Sequence, residues 1–284
     1  MENEITMEHC VNLCELIKQV LASGMTIGEY VEQVRKEKGW DRVGRIYIGS
    51  YFCSHYFLHL TEWDFTQIFT YAKQADCKIT LVLPVFTQKN LGSAKKFLDR
   101  LSCRFDDGID EITVNDYGML VYISSKYCVR VNLGRLFMKD YRDPRYPEYF
   151  NQVFSPAGFT KSLYSFIKKY RIHMVELDPT HRELDVSNKP EKVGIAIHTP
   201  FCYMTTGQIC EYASIAKPLE KKFRPNMECE AECLTHHIEY ELEELDPARR
   251  VIRLGRTVYF ENGDCVVRGA DTLREIVFSL DIIR

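Results

Sequence analysis

The sequence predicts an α/β fold, a TIM-like (β/α) barrel, incomplete or distorted, with a cysteine-rich segment and a small β-hairpin near its C-terminal end. Three observations predict it. Short apolar runs of strand character alternate with helical patterns between residues 45 and 200. The strongest of them, KITLVLPVF at residues 78–86, is almost unbroken in its apolar character, as a strand covered on both faces of a parallel sheet must be. Polar residues gather where the runs end: Cys53, Asn115, Asp116, Arg135, Asp178 and His198. Such ends form the working face of a barrel, although a doubly wound open sheet would place them on one side too.

The elements follow in order. Residues 8–38 read as helical, with Val11, Cys14, Ile17, Val20 and Leu21 near a 3.6-residue period and a second helical stretch at 27–34. RIYIGS (45–50) reads as a strand, 64–74 as a helix and 78–86 as a strand. A helix at 92–101 leads to the strand EITVND (111–116), and a short polar break to VRVNLG (129–134). A long loop, a helix at 161–170 and the strands 173–179 and 192–200 complete six strands. Eight βα units cannot be counted. Residues 239–245 are charged and helix-prone. Residues 251–269 alternate around Asn262–Gly263, a hairpin-turn dipeptide. Residues 272–283 suit either a helix or a strand packed back on the barrel. Residues 1–284 are read as one domain, with the cysteine segment, 198–240, inside it.

Composition narrows the class. The chain of 284 residues is 45% hydrophobic with a formal charge of −3, so no net field selects nucleic acid or an anionic membrane. The N-terminus MENEITMEHC lacks the basic-then-apolar pattern of a leader, and no apolar run approaches membrane-spanning length. The expectation is a cytoplasmic protein without membrane insertion. In that compartment the 11 cysteines stay reduced. Clustered ones then point to metal or redox chemistry. Scattered ones point to burial as small hydrophobes, the reading for Cys10, Cys14, Cys77, Cys103, Cys128 and Cys265.

The cluster lies in residues 197–240, which hold Cys202, Cys210, Cys229 and Cys233. The last two are spaced CxxxC, which on a helix puts both thiols on one face. Thiolates are the soft ligands that iron–sulfur clusters and zinc select. Zinc sites usually pair two short C-x2–4-C or H-x3–5-H units, and Cys202 and Cys210 have seven residues between them. The spacing therefore favours an iron–sulfur cluster over zinc or no metal. His198 reads as a partner to the cluster or as a core histidine. His236 and His237 read as residues of a solvated helix. Glu176 and Asp178, at period two, point the same way and are expected to order Arg or His partners inside the barrel. Arg135, Lys139, Arg142 and Arg145 suit a carboxylate or phosphate. Neither GxSxG nor HExxH is present.

The pattern His198-x-x-x-Cys202, Gly207-x-x-Cys210, Asn226-x-x-Cys229 and Cys233, closing at Tyr240, resembles the signature of peptidase family U32. Thr206, Met227–Glu228 and Leu234 depart from it. IYIGSYFCSHYF (46–57) and the CxxxC spacing are similar to the UbiV-like branch of that family, which acts in oxygen-independent ubiquinone hydroxylation. The stretches 114–118, 132–145 and 175–180 also resemble the family's strand ends and loops. The resemblance implies a barrel holding an oxygen-sensitive [4Fe-4S] cluster in an anaerobic hydroxylation role. Its ligands would be Cys53, Cys210, Cys229 and Cys233, with Cys202 matching a ligand of other branches. It further implies a second U32-family protein as a heterodimer partner, or a homo-oligomer. The substrate would be a small molecule, such as an aromatic quinone precursor, or an RNA base. A peptidase, or a non-catalytic cluster-bearing subunit, are the alternatives.

Overall fold

The structure is a computed structural model and describes residues 6–104, 108–138, 146, 149, 158–179, 183–225, 227, 229–234, 238–240, 249–262 and 265–283. In chain order the strands are β1 (Thr6–Asn12), β2 (Arg45–Gly49), β3 (Lys78–Leu83), β4 (Glu111–Val114), β5 (Arg130–Leu133), β6 (Met174–Leu177) and β7 (Glu183–Asp185). Then come β8 (Gly194–Thr199), β9 (Phe201–Thr206), β10 (Ile238–Tyr240), β11 (Val251–Leu254), β12 (Thr257–Glu261), β13 (Val266–Arg268) and β14 (Thr272–Val277). The helices are α1 (Ile17–Ala22), α2 (Ile27–Lys38), α3 (Ser54–His59), α4 (Glu62–Gln74), α5 (Gln88–Leu101), α6 (Tyr117–Lys126) and α7 (Lys161–Tyr170).

Eight parallel strands close into a barrel in the order β1-β14-β8-β6-β5-β4-β3-β2. Strands β9 to β12 leave that barrel between β8 and β14. They pair antiparallel as a side sheet in the order β10-β11-β12-β9, while β7 and β13 form a parallel ribbon. No helix among the described residues is long and apolar enough to cross a membrane.

The barrel is complete, whereas six strands were counted in the sequence. The two extra ones are its seam: β14 pairs β1 from Thr6↔Thr272 to Val11↔Val277. Residues 6–12 therefore form a strand and not the start of a helix. Cys10, Val11 and Asn12 are buried between two neighbouring strands, and that pairing overrides a helical period that resumes only at Ile17. The polar break before β5 is α6, started by Asp116, whose carboxylate accepts from the Met119 amide at 2.7 Å. The predicted helix at 239–245 begins instead on β10; its residues beyond 240 lie outside the described ones. Within 251–269 a hairpin turns at Gly255–Arg256, between β11 and β12; the expected turn at Asn262–Gly263 falls partly outside the described residues, which omit Gly263.

The barrel interior is charged. Period-two alternation sends Glu111 and Thr113 of β4, Glu176 of β6, His198 of β8 and Arg274 of β14 inward. Arg274 crosses the barrel to hold Glu111 with both terminal nitrogens, at 2.6 and 3.0 Å, and Asn132 adds a bond at 2.9 Å. Burial alone would raise the Glu111 pKa, but the hydrogen bonds and charge of Arg274, with the charge of Arg45, hold it at about 2. One layer up, Glu176 accepts from Thr113 at 2.6 Å and meets His198 Nε2 at 3.1 Å. Nearer the strand ends, Arg135 grips Asp178 with two nitrogens, Nε at 2.7 Å. Buried charges persist in such a place only when paired.

Candidate functional site

Cys53 is delivered to the barrel mouth by a tightly tied turn. Gly49 ends β2 at φ +111°, and a Cβ there would lie 2.3 Å from the Val82 carbonyl oxygen, so only glycine fits. The chain then wraps the Glu15 carboxylate. Its Oε1 accepts from the Ser50 hydroxyl and from the Tyr51 and Phe52 amides at 2.7 and 3.1 Å. The Ser50 oxygen in turn accepts from the Cys53 amide at 2.9 Å. Cys53 precedes α3, where its sulfur accepts from the Tyr56 amide at 3.4 Å.

The other three cysteines come from the excursion after β9. Cys210 precedes a 3-10 turn, Tyr212–Ser214. The Ser214 hydroxyl donates to the Cys210 carbonyl, and the Tyr212 hydroxyl donates to the carbonyl of Arg253 on β11. The CxxxC pair does not lie on an α-helix. Ala231 between them adopts φ +64°, and Cys233 sits in the 3-10 turn Glu232–Leu234. Gln19 of α1 reaches the Cys233 carbonyl at 3.5 Å.

These pieces meet. Cys53, Cys210, Cys229 and Cys233 line one cavity of about 460 Å³, counting its open mouth, with Tyr56, Tyr212, Met227 and Arg256 among its other walls. Burial raises the pKa of Cys210, and the Ala213 and Tyr212 amides and the Arg256 charge oppose it. Burial likewise raises Cys229, against a bond from the Ala231 amide. Cys233 is raised furthest, by burial and then by Cys53, Cys210 and Cys229. Burial and the neighbouring thiols hold Cys210, Cys229 and Cys233 protonated, backbone N–H groups oppose this at each, and a bound cation would tip them to thiolates.

Among the described residues, no three His, Cys, Asp or Glu side chains close into a shell for a single metal ion. Such a shell brings sulfurs at 2.3 Å from zinc to within roughly 3.8 Å of one another. A four-iron, four-sulfide core is larger and spreads its thiolates more widely. Four thiols around one cavity, which His55, His59 and Glu232 also line, suit the larger group by their donor chemistry.

The remaining candidates fall elsewhere. Cys202 is buried in β9, its thiol 3.0 Å from the Pro179 carbonyl and 3.6 Å from that of His198, and it does not line the cavity. His198 is a core histidine whose ring meets Glu176, and the Cys202 sulfur lies 3.6 Å from the His198 backbone oxygen. Glu176 and Asp178 face inward and engage His198 and Arg135, as their spacing predicts. The Arg135 guanidinium sits among the rings of Tyr51, Phe52, Tyr203 and Tyr259, 5.2 to 5.7 Å from their centres. It is a structural cation and not an anion receptor. Asn115 bridges the Leu83 carbonyl and the Leu136 amide. Lys139, Arg142, Arg145, His236 and His237 lie outside the described residues. Of the six scattered cysteines, Cys10, Cys14 and Cys77 are buried and Cys265 is half-buried, but Cys103 and Cys128 are exposed in turns following α5 and α6. The sequence reading missed Glu15, Gln19 and Arg256. Only the Leu-Gly-Arg-Thr turn, by its glycine, marks the last of them.

No family model and no curated protein sequence matches this chain. Among solved structures it is similar to the one described as "The Structure of the U32 Peptidase Mk0906", at 11% identity and a TM-score of 0.46 over 99% of this chain and 96% of that one.

Proposed function

We propose that this chain is a U32-type, UbiV-like barrel protein in which Cys53, Cys210, Cys229 and Cys233 hold a [4Fe-4S] cluster. It takes part in oxygen-independent hydroxylation, or a related redox modification, of a small aromatic or quinone precursor or of an RNA base. The observation that carries the reading is the meeting of four thiols, one from residue 53 and three from 210–233, around a single cavity at the strand ends. When bound, such a group supplies one-electron transfer. The chain's own residues hold it and shape its surroundings. Backbone amides of Tyr212 and Ala213 favour the thiolate form of Cys210 and that of Ala231 favours it at Cys229, while the Tyr56 amide donates to the Cys53 sulfur. Tyr56, Tyr212 and Met227 line the cavity beside the thiols.

Peptidase activity is the alternative, and no observation favours it: the His198 ring meets Glu176 at 3.1 Å, and neither GxSxG nor HExxH is present. A cluster-bearing subunit that serves a second U32-family protein uses the same cavity. The test is anaerobic purification with iron and sulfide counts and an absorbance spectrum. The reading expects about four of each per chain. Alanine at Cys53, Cys210, Cys229 or Cys233 is expected to bleach the visible band, and Cys202→Ala to leave it. A colourless chain without iron, or bleaching by Cys202→Ala alone, overturns it. Co-purification with a second cluster protein separates the subunit role from a solitary enzyme.

A further inference from the structure

Helices α5, α6 and α7 follow the adjacent strands β3, β4 and β5, so they stand side by side on the outer wall of the barrel. Their contacts show the order. Lys95 of α5 lies 4.7 Å from the ring centre of Tyr122 on α6, and Lys126 of α6 pairs with Asp99 of α5. On the other side, Tyr117 of α6 packs edge-on against Phe166 of α7, with ring centres 5.2 Å apart. The three helices carry eight lysines or arginines and a single acid, Asp99. Helices α2 and α4 carry five acids against four cations. The bias therefore belongs to one face of a chain whose formal net charge is −3. Lys126 already engages Asp99. Among the described residues, no carboxylate pairs with Lys95, Lys96, Arg100, Lys161, Lys168 or Lys169.

The charge is arranged in two rails. Helices α5 and α7 hold seven of the eight cations. Between them α6 presents Tyr117 and Val121, one turn apart and 64% and 50% exposed, and Lys126 comes only at its end. Asp116, which starts α6, has its carboxylate engaged by the Met119 amide. Binding of a nucleic acid single strand uses a groove that tracks the backbone, whereas the ring of helices around a barrel is convex. An apolar ridge between basic rails on a convex wall suits a broad anionic surface. At a bilayer, lysine stems lie along the apolar zone while their charges meet the headgroups, and tyrosine rings settle at the interface. We propose that the α5–α6–α7 face docks the chain on an anionic lipid surface, with Tyr117 and Val121 seated among the headgroups and the lysines of α5 and α7 on the lipid phosphates. The contact is peripheral and needs no helix that crosses the bilayer. It stands apart from the cysteine site and goes beyond the function proposed there.

The experiment is co-sedimentation of the full-length chain with two kinds of vesicle, phosphatidylcholine alone and phosphatidylcholine mixed with phosphatidylglycerol. A cation near an anionic surface contributes about fivefold in affinity, so one from each rail gives the mixed vesicles an advantage of about 25-fold or more. Lys95→Ala combined with Lys169→Ala is expected to lose about that factor. Tyr117→Ser combined with Val121→Ser keeps the charge and is expected to lose about tenfold, which a purely electrostatic contact would not. Lys36→Ala, an exposed lysine on α2, is expected to change nothing. Thermal melting checks that each variant is folded. Should the ridge pair fail to fold, Val121→Ser alone decides, with an expected loss of about threefold. Equal binding to the two vesicles, no binding at millimolar lipid, or ridge variants that bind as wild type does overturns the docking surface. Binding of single-stranded poly(U) that exceeds vesicle binding and is lost in the lysine variant overturns it in favour of a nucleic acid.

Discussion

Replacing Asp178 by alanine tests the buried charge at the top of the barrel. Asp178 and Arg135 are 2% and 1% exposed, joined through two nitrogens of the guanidinium. Removing one partner of such a pair strands the other in a poorly polarisable interior, at a cost of about 3–5 kcal/mol. Two features set the value within that range. The Tyr203 amide, 2.9 Å from Asp178, also loses its acceptor, which adds about 1 kcal/mol. The four rings around Arg135 work in the other direction, because their faces still attract the uncompensated cation. The single change is therefore expected near 4 kcal/mol, a large part of the ~5–15 kcal/mol that holds most domains folded. The double change Arg135→Met with Asp178→Leu removes the charge along with its partner. It leaves only the Tyr203 amide and the Phe201 carbonyl short of bonds, for a cost of about 1–3 kcal/mol. Urea unfolding followed by circular dichroism reads both numbers, provided the slope with denaturant is unchanged. A single-variant cost under about 1 kcal/mol, or a double variant as damaged as the two singles summed, refutes the reasoning.

Three further outcomes follow from the same interior. Burial raises the Glu176 pKa to about 7, with the Thr113 bond and the charges of Arg135 and Arg274 opposing. The folded state therefore binds more protons than the unfolded one between pH 4.5 and 7, and this group's contribution to stability falls as pH rises through that window. Glu176→Gln should remove that fall and gain on the order of 3 kcal/mol over wild type at pH 8 relative to pH 5, read from melting at the two pH values. An unchanged difference between them sinks the idea. Glu111 has the opposite sign. Its pKa of about 2 lies below the usual 4.5, so its contribution is complete above pH 4.5 and is lost as pH falls toward 2. Glu111→Gln should flatten acid unfolding between pH 5 and 2, and an equally steep loss would contradict the pairing with Arg274. Gly49→Ala forces a side chain onto the Val82 carbonyl at positive φ and should cost about 2 kcal/mol or more. A variant as stable as wild type in urea would show that the turn into Cys53 is not held as described.

The barrel class was legible because strands covered on both faces write near-continuous apolar runs into the chain. KITLVL and GIAIHT announce β3 and β8 with no knowledge of their neighbours. Strand β1 was hidden because TMEHCVN mixes charge and apolar residues in a way that local period cannot resolve. It becomes a strand only by pairing with β14, more than 260 residues away. The charged interior was half visible. The period-two spacing of Glu176 and Asp178 turned both inward, but their partners, His198 on β8 and Arg135 in the turn after β5, come from distant segments.

Clustered cysteines after a strand end were enough to nominate Cys210, Cys229 and Cys233, and a resemblance added Cys53. Spacing along the chain could not separate Cys53 from Cys202, because distance in sequence carries no information about direction in space. The fold separates them: Gly49 and Glu15 turn Cys53 into the shared cavity, while pairing with β12 turns Cys202 toward the Pro179 carbonyl. Residue types and periods determined which segments become strands and which atoms are capable of ligation. Only closure of the barrel decided which sulfurs face one another and left Arg256 buried beside them, because such contacts join residues that no local rule connects.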